Sequence, residues 1–203
     1  MENPSRRRVL AAGLAGTALG LVDRRVASAG STPPSPAPVT AEPEAQPTAE
    51  DAGLLAAARE AELASRDLYQ LAIDAGAGGG DGTMEALRDD HAAYADVLSG
   101  LIGRDATQSR DEELFESLSA GFDSDDTAGV AAAAYDMEST LVATHSALLG
   151  QLKGRNGAKT IASILMVEAR HCVVLADVAG LGDDLDALFV NDAEPRALTP
   201  VEG

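Results

Sequence analysis

The sequence predicts an all-α fold, a four-helix bundle with one long connection between its second and third helices. Three observations predict it. From Asp51 onward the chain is rich in Ala and Leu, and no segment alternates apolar and polar residues for long, which leaves no candidate strand. Four stretches carry apolar residues at alternating three- and four-residue spacing, the period of a buried helical stripe. Each of those stretches ends at glycine, the residue that most readily stops a helix.

Two segments precede the helices. The first, within residues 1–29, places Arg6 to Arg8 before a mild apolar run from Val9 to Val22. Arg24 and Arg25 follow, and then the small-x-small triplet Ala27-Ser28-Ala29. The run is too short and too weakly apolar to span a bilayer. Its order of basic, apolar and cleavage regions resembles a twin-arginine export signal. That resemblance implies a protein exported beyond the cytoplasmic membrane, with no stable membrane span once the signal is cut. An uncleaved anchor or a basic tail is the alternative. No cysteine follows the apolar run, which argues against a lipoprotein signal. Residues 30–50 hold six of the nine prolines and read as a semi-rigid, disordered tether. About 130 residues of patterned sequence remain, the size of one small domain.

The formal net charge is −18, and removing residues 1–29 takes away five arginines and two acids, leaving −21. Charge of that sign argues against nucleic-acid binding, which needs a basic footprint. The single Cys172 cannot form an intramolecular disulfide and reads as an inert buried thiol.

The first helix is expected from about Asp51 to Asp74, closed by the glycine-rich GAGGGDG. That loop has neither a preceding strand nor a Lys-Ser/Thr pair, so it reads as a helix–helix connection rather than a phosphate cradle. The second helix covers about Gly82 to Ile102 and stops at Gly103. A connector of about 24 residues, Arg104 to Thr127, contains a possible short helix, DEELFESL, and is long enough to cross the bundle. The third helix spans about Thr127 to Leu152 and the fourth about Ala158 to Ala179. The bundle so bounded is 51–182. In the tail, 183–203, an apolar patch from Leu185 to Val190 is expected to dock, and the residues from Asn191 read as loose.

The buried stripes carry unexpected polarity. The fourth helix puts Ile161, Ile164, Glu168, His171, Leu175 and Val178 on one face. The third aligns Ala131, Ala134, Glu138, Leu141, His145 and Leu148, and the second aligns Met84, Leu87, His91, Tyr94 and Leu98. The first gives Leu55, Ala58, Glu62, Ser65, Tyr69 and Ala72. All three histidines of the chain fall on these seams. A buried carboxylate without a partner costs several kcal/mol, so Glu62, Glu138 and Glu168 need a shared counter-charge. Arg66, Arg88, Arg155 and Arg170 all lie off the stripes, whereas a metal cation would also engage the imidazoles. His145 is two turns from Glu138, about 10 Å along the axis, which places it outside the inner set. An internal echo accompanies the pattern. Glu62 precedes Tyr69 by seven residues and Glu138 precedes His145 by seven, as though one helical hairpin were used twice about a pseudo-twofold axis.

These residues resemble the ferritin-like superfamily, which builds a metal site from a lone Glu on each of two helices and a Glu-x-x-His on each of the others. Glu62 and Glu138 match the lone glutamates, and EARH, Glu168 to His171, matches one Glu-x-x-His. The wording SILMVEARHCVVL and the leader look particularly like exported bacterial and archaeal ferritin-like domain proteins. The second helix departs from the pattern, with His91-Ala-Ala-Tyr94 where Glu-x-x-His is expected. The resemblance implies an iron or manganese site, mononuclear or dinuclear, held by Glu62, His91, Glu138, Glu168 and His171. Tyr94 is a poorer ligand, and Asp90, about 100° around the helix from His91, a doubtful substitute. Such a site suits oxidation of ferrous iron, or reaction with oxygen or peroxide. The competing reading keeps the fold without a metal, as a structural or partner-binding domain whose acids and imidazoles form an internal hydrogen-bond network.

Overall fold

The structure is a computed structural model that describes residues 45–198, Gly79 excepted. The expected export signal, and the tether as far as residue 44, lie outside the described residues. Among the described residues six α-helices follow in order: α1 (Ala49–Ala75), α2 (Thr83–Ile102), α3 (Glu112–Phe122), α4 (Thr127–Leu149), α5 (Arg155–Val178) and α6 (Leu185–Phe189). Among the described residues there is no strand. No described helix is long and apolar enough to cross a membrane.

Local chemistry sets the ends of α1. Thr48 and Asp51 form a reciprocal capping box, each side chain accepting from the other's backbone N–H at 3.1 and 2.9 Å. At the other end Gly76 takes a φ of 100°, the left-handed conformation that favours glycine, and its N–H closes back on the carbonyls of Ala72 and Ile73. Asp111 caps α3 by accepting from Leu114 N–H at 2.8 Å.

Two sets of hydrogen bonds fix the helix directions. Gly78 N–H donates to Thr127 Oγ1 at 3.1 Å, which brings the start of α4 to the α1–α2 loop. Lys153 and Gly154 N–H donate to the Asp51 carboxylate at 2.9 and 2.8 Å, which brings the α4–α5 turn to the start of α1. Hence α4 runs parallel to α2, and α5 parallel to α1. The long connector makes this possible, because α3 packs along α1 and α4 and returns the chain to the far end. Around the bundle α1 neighbours α2 and α4, and α5 neighbours the same two.

The apolar core divides into two clusters. One gathers Leu68, Met84, Leu87, Phe122, Val130 and Leu141, and the other Leu54, Leu55, Leu98, Leu148, Ile161 and Ile164. Between them, on every helix of the bundle, lies the polar layer of glutamates and histidines.

The tail differs from expectation. Asn191 Nδ2 donates to the Ser139 carbonyl at 2.9 Å, Arg196 N–H to Thr144 Oγ1 at 2.9 Å, and the Arg196 guanidinium to Asp111 at 2.9 Å. Residues 191–198 are therefore stitched along α4 and not loose. The apolar patch docks in part, with α6 against α5 and Ala187 and Leu188 half-buried. Tyr135 OH donates to the Ala187 carbonyl and anchors α6, while Leu185, Phe189 and Val190 stay exposed.

Candidate metal centre

Six side chains meet in the polar layer: Glu62 from α1, His91 from α2, Glu138 and His145 from α4, and Glu168 and His171 from α5. All are fully buried except His171, which is 6% exposed. They sit on the stripes because a three-four spacing turns them inward together with the leucines and isoleucines above and below.

The contacts form two trios. In one, His91 Nε2 is 3.0 Å and His171 Nδ1 3.2 Å from Glu138 Oε1. In the other, His145 Nδ1 is 2.7 Å from Glu168 Oε2, and His145 Nε2 is 3.4 Å from Glu62 Oε1. That last contact lacks hydrogen-bond geometry, since both atoms are buried without a hydrogen-bond partner. Within each trio, one potential ligand atom per residue lies within 4.8 Å of the others, the spacing of groups that could hold a metal ion. A short bond between His91 Nδ1 and Glu62 Oε2, 2.6 Å, joins the trios.

Each imidazole also has a carboxylate on one nitrogen. A neutral imidazole carries one N–H and one lone pair. Donation from His91 Nδ1 to Glu62, from His145 Nδ1 to Glu168, and from His171 Nε2 to Asp90 at 3.1 Å satisfies one nitrogen of each ring. In neutral rings held this way the lone pairs would fall on His145 Nε2, which has no hydrogen-bond partner, and on His91 Nε2 and His171 Nδ1, which both face Glu138 Oε1. Carboxylate support behind an imidazole is the usual arrangement of metal-binding histidine.

Unpartnered atoms mark the same places. Glu62 Oε1, Glu138 Oε2, Glu168 Oε1, His145 Nε2 and Tyr94 OH are buried without hydrogen bonds. Most buried polar atoms find a partner, so such a concentration at one height of the bundle is unusual. A cation at each trio would satisfy the carboxylate oxygens and the imidazole nitrogen there.

Among these side chains themselves, protons balance the carboxylates. Burial works against an imidazolium at His91, but Glu138 and Glu62 reverse it and hold the ring well above its ordinary range. His145 is raised in the same way by Glu168, and His171 by Glu138. Burial would raise the Glu138 carboxyl, yet His91 and His171 overcome it and hold the group low. Glu168 goes the other way. Burial raises it, with Glu62 and Glu138 adding to the rise against the opposing pull of His145. The Cys172 thiol is pushed up to about 12, chiefly by burial, and is a poor nucleophile.

The structure brings together Glu62, His91, Glu138, Glu168 and His171, the five residues singled out from sequence. It also corrects the placement of His145, which belongs to the cluster. A helical side chain leans toward its own N-terminus, so His145 covers the turn before it and meets Glu62 and Glu168 from other helices. Asp90, half-exposed, reaches His171 from the rim of α2. Tyr94 packs as an aromatic, stacked on His171 at 6.4 Å and edge-on to His91 at 5.7 Å. Tyr69 OH, opposite His145 in the repeat, donates to Glu138 Oε1 at 2.7 Å. The arginines lead elsewhere. Arg59 is buried, yet it bonds Ser99 Oγ and the Thr107 carbonyl, while Arg66 and Arg88 pair with Asp67 and Asp89.

Comparison with curated proteins and with solved structures yields no match. The family model of the ferritin-like domain matches residues 50–181, which takes in all four bundle helices and every residue of the polar layer. The crossover through α3 and the glutamate on each of α1, α4 and α5 agree with that match, and the chain belongs to the ferritin-like domain family.

Proposed function

We propose that this is an exported ferritin-like metalloprotein that binds iron or manganese in the bundle core and uses it to oxidise ferrous iron or to react with oxygen or peroxide. One observation carries the proposal: three buried carboxylates and three imidazoles converge, with oxygen and nitrogen lone pairs left unsatisfied in the middle. Carboxylate with imidazole suits iron and manganese, and such an ion when bound would supply one-electron chemistry at its open positions.

The residues of the chain have definable tasks around that ion. Glu62, His91, Glu138, Glu168 and His171 would hold it. The Tyr69 hydroxyl fixes one oxygen of Glu138, leaving Oε2 for a cation. Glu62 orients the His91 ring from behind, and Asp90 does the same for His171. The two apolar clusters above and below exclude water, which strengthens each charge interaction between them. The leader supports export, and twin-arginine transport moves folded proteins, so a metal could be loaded before crossing.

The short bonds of His91 with Glu62 and of His145 with Glu168 favour a second reading, in which the network serves only to hold the bundle. Metal analysis of tag-free protein separates the two. Iron or manganese at one or two per chain, lost in the Glu168→Ala/His171→Ala double variant, is the expected result. Failure to bind either metal after anaerobic reconstitution with the divalent ion would refute the proposal. Turnover has its own readout. Oxygen consumption on adding ferrous iron must exceed that of the double variant, or the oxidase activity is refuted.

A further inference from the structure

We infer that the core has two unlike cation positions: an outer one at His91, Glu138 and His171 that exchanges its ion with solvent, and an inner one at Glu62, His145 and Glu168 that retains it. The inference rests on the metal-binding reading above and adds a ligand, His145, that the family pattern does not contain.

Geometry separates the positions. The inner trio has unsatisfied atoms on all three members, Glu62 Oε1, Glu168 Oε1 and His145 Nε2. Its three side chains are fully buried. The outer trio contains the one member of the six that reaches solvent, His171, with a side chain 7% exposed and bonded to the half-exposed Asp90. An ion arriving at Asp90 therefore meets His171 and Glu138 first. The bond between His91 and Glu62 then lies on the way inward. An ion leaving the inner position by that path would pass an occupied or closed outer one.

Composition separates them as well. The outer trio offers two imidazoles and one carboxylate, and the inner trio one imidazole and two carboxylates. With neutral imidazoles, the three core carboxylates and Asp90 carry four negative charges, which two divalent cations neutralise.

The test loads the full-length protein anaerobically with Mn²⁺, counts the bound ion, and follows its release into excess chelator by the paramagnetic signal of free Mn²⁺. The expected result is two ions per chain leaving in two phases. The second should be slower by roughly tenfold or more, the scale on which imidazole support alters metal retention. His145→Gln should bind one ion that leaves in the fast phase, and Glu168→Gln, as a second variant, should do the same. Thermal unfolding of both variants by circular dichroism confirms that they are folded. Two ions released in a single phase, or two ions retained by His145→Gln, would overturn the inference while leaving metal binding intact. A wild-type protein that takes only one ion would do the same. No bound ion at all would overturn both.

Discussion

If the polar layer exists to hold a metal, the metal-free protein should be more stable without part of it. The perturbation is His145→Leu together with Glu168→Met, which replaces a buried pair by apolar side chains of similar size. In the metal-free protein His145 Nε2 and Glu168 Oε1 have no hydrogen-bond partner, and each such buried atom costs about 1–3 kcal/mol. Against that relief stands the single bond between His145 Nδ1 and Glu168 Oε2, 2.7 Å, worth about 1.5–3 kcal/mol as a charge-assisted contact. Replacing such pairs by well-packed apolar groups is neutral or stabilising by about 1–4 kcal/mol, and a gain of about 2 kcal/mol is expected here. For a domain of this size that corresponds to a Tm higher by about 4–8 °C. The assay is thermal unfolding in chelator, followed by circular dichroism. Either substitution alone should instead lower stability by about 3–5 kcal/mol, because it leaves one buried partner unpaired. Added divalent metal at a hundred times its Kd should stabilise wild type by about 2.7 kcal/mol and the double variant by less. A double variant that is less stable than wild type in chelator by more than about 1 kcal/mol would refute the reasoning, since the network itself would then be holding the bundle together.

Three further outcomes concern the end of the bundle that carries Asp51. Asp51→Ala removes the reciprocal cap of α1 and strands the N–H groups of Lys153 and Gly154, so a loss of about 3 kcal/mol in urea unfolding is expected, with Asp51→Asn losing less. Burial would raise the Asp51 carboxyl, but the N–H groups of Lys153, Thr48 and Gly154 hold it below the ordinary aspartate value. Its contribution is therefore present above pH about 4 and lost as pH falls through the depressed value, and Asp51→Asn should flatten the acid limb of the stability profile. Gly154→Ala should destabilise the same end by about 2 kcal/mol or more in the same assay, because a Cβ there would lie 2.5 Å from the Gln46 carbonyl oxygen and 2.9 Å from Pro47 Cα, both backbone atoms.

The helices and the inward-facing stripes were legible because both follow from periodicity, which survives without knowledge of partners. Glu168 and His171 could be placed in the interior from the leucines and isoleucines that share their face. What periodicity does not carry is which residues of different helices meet. His145 was measured against Glu138 on its own helix, where two turns separate them, although its partners are Glu62 on α1 and Glu168 on α5. The equal spacing of Glu62–Tyr69 and Glu138–His145 held the missing information, because a twofold axis crosses each residue over to the opposite glutamate. Asp90 escaped for a related reason. It lies off the α2 stripe, at the edge where α5 brings His171 close enough to bond it. The tail was illegible in another way, since Asn191 and Arg196 are held by hydrogen bonds to Ser139 and Thr144, and such bonds leave no repeating pattern.

The repeat also explains why the centre is asymmetric. Under the pseudo-twofold, Glu62 corresponds to Glu138 and Tyr69 to His145, so the contact of Tyr69 with Glu138 is the counterpart of the contact of His145 with Glu62. The stacked rings of Tyr94 and His171 correspond to one another. At both pairs the exchange is between phenol and imidazole. A buried phenol, pushed far above its ordinary range by burial, stays protonated and can only donate to the carboxylate it meets. An imidazole at the equivalent point offers a lone pair once its other nitrogen is satisfied. Tyr69 therefore occupies one oxygen of Glu138, whereas His145 leaves Glu62 Oε1 unpaired and adds a nitrogen beside it. With the exchange of His91 for Glu168, these two phenol-for-imidazole differences leave one glutamate, Glu138, with one oxygen held by Tyr69 and the other, Glu62, with Oε1 unpaired beside the unpaired His145 Nε2.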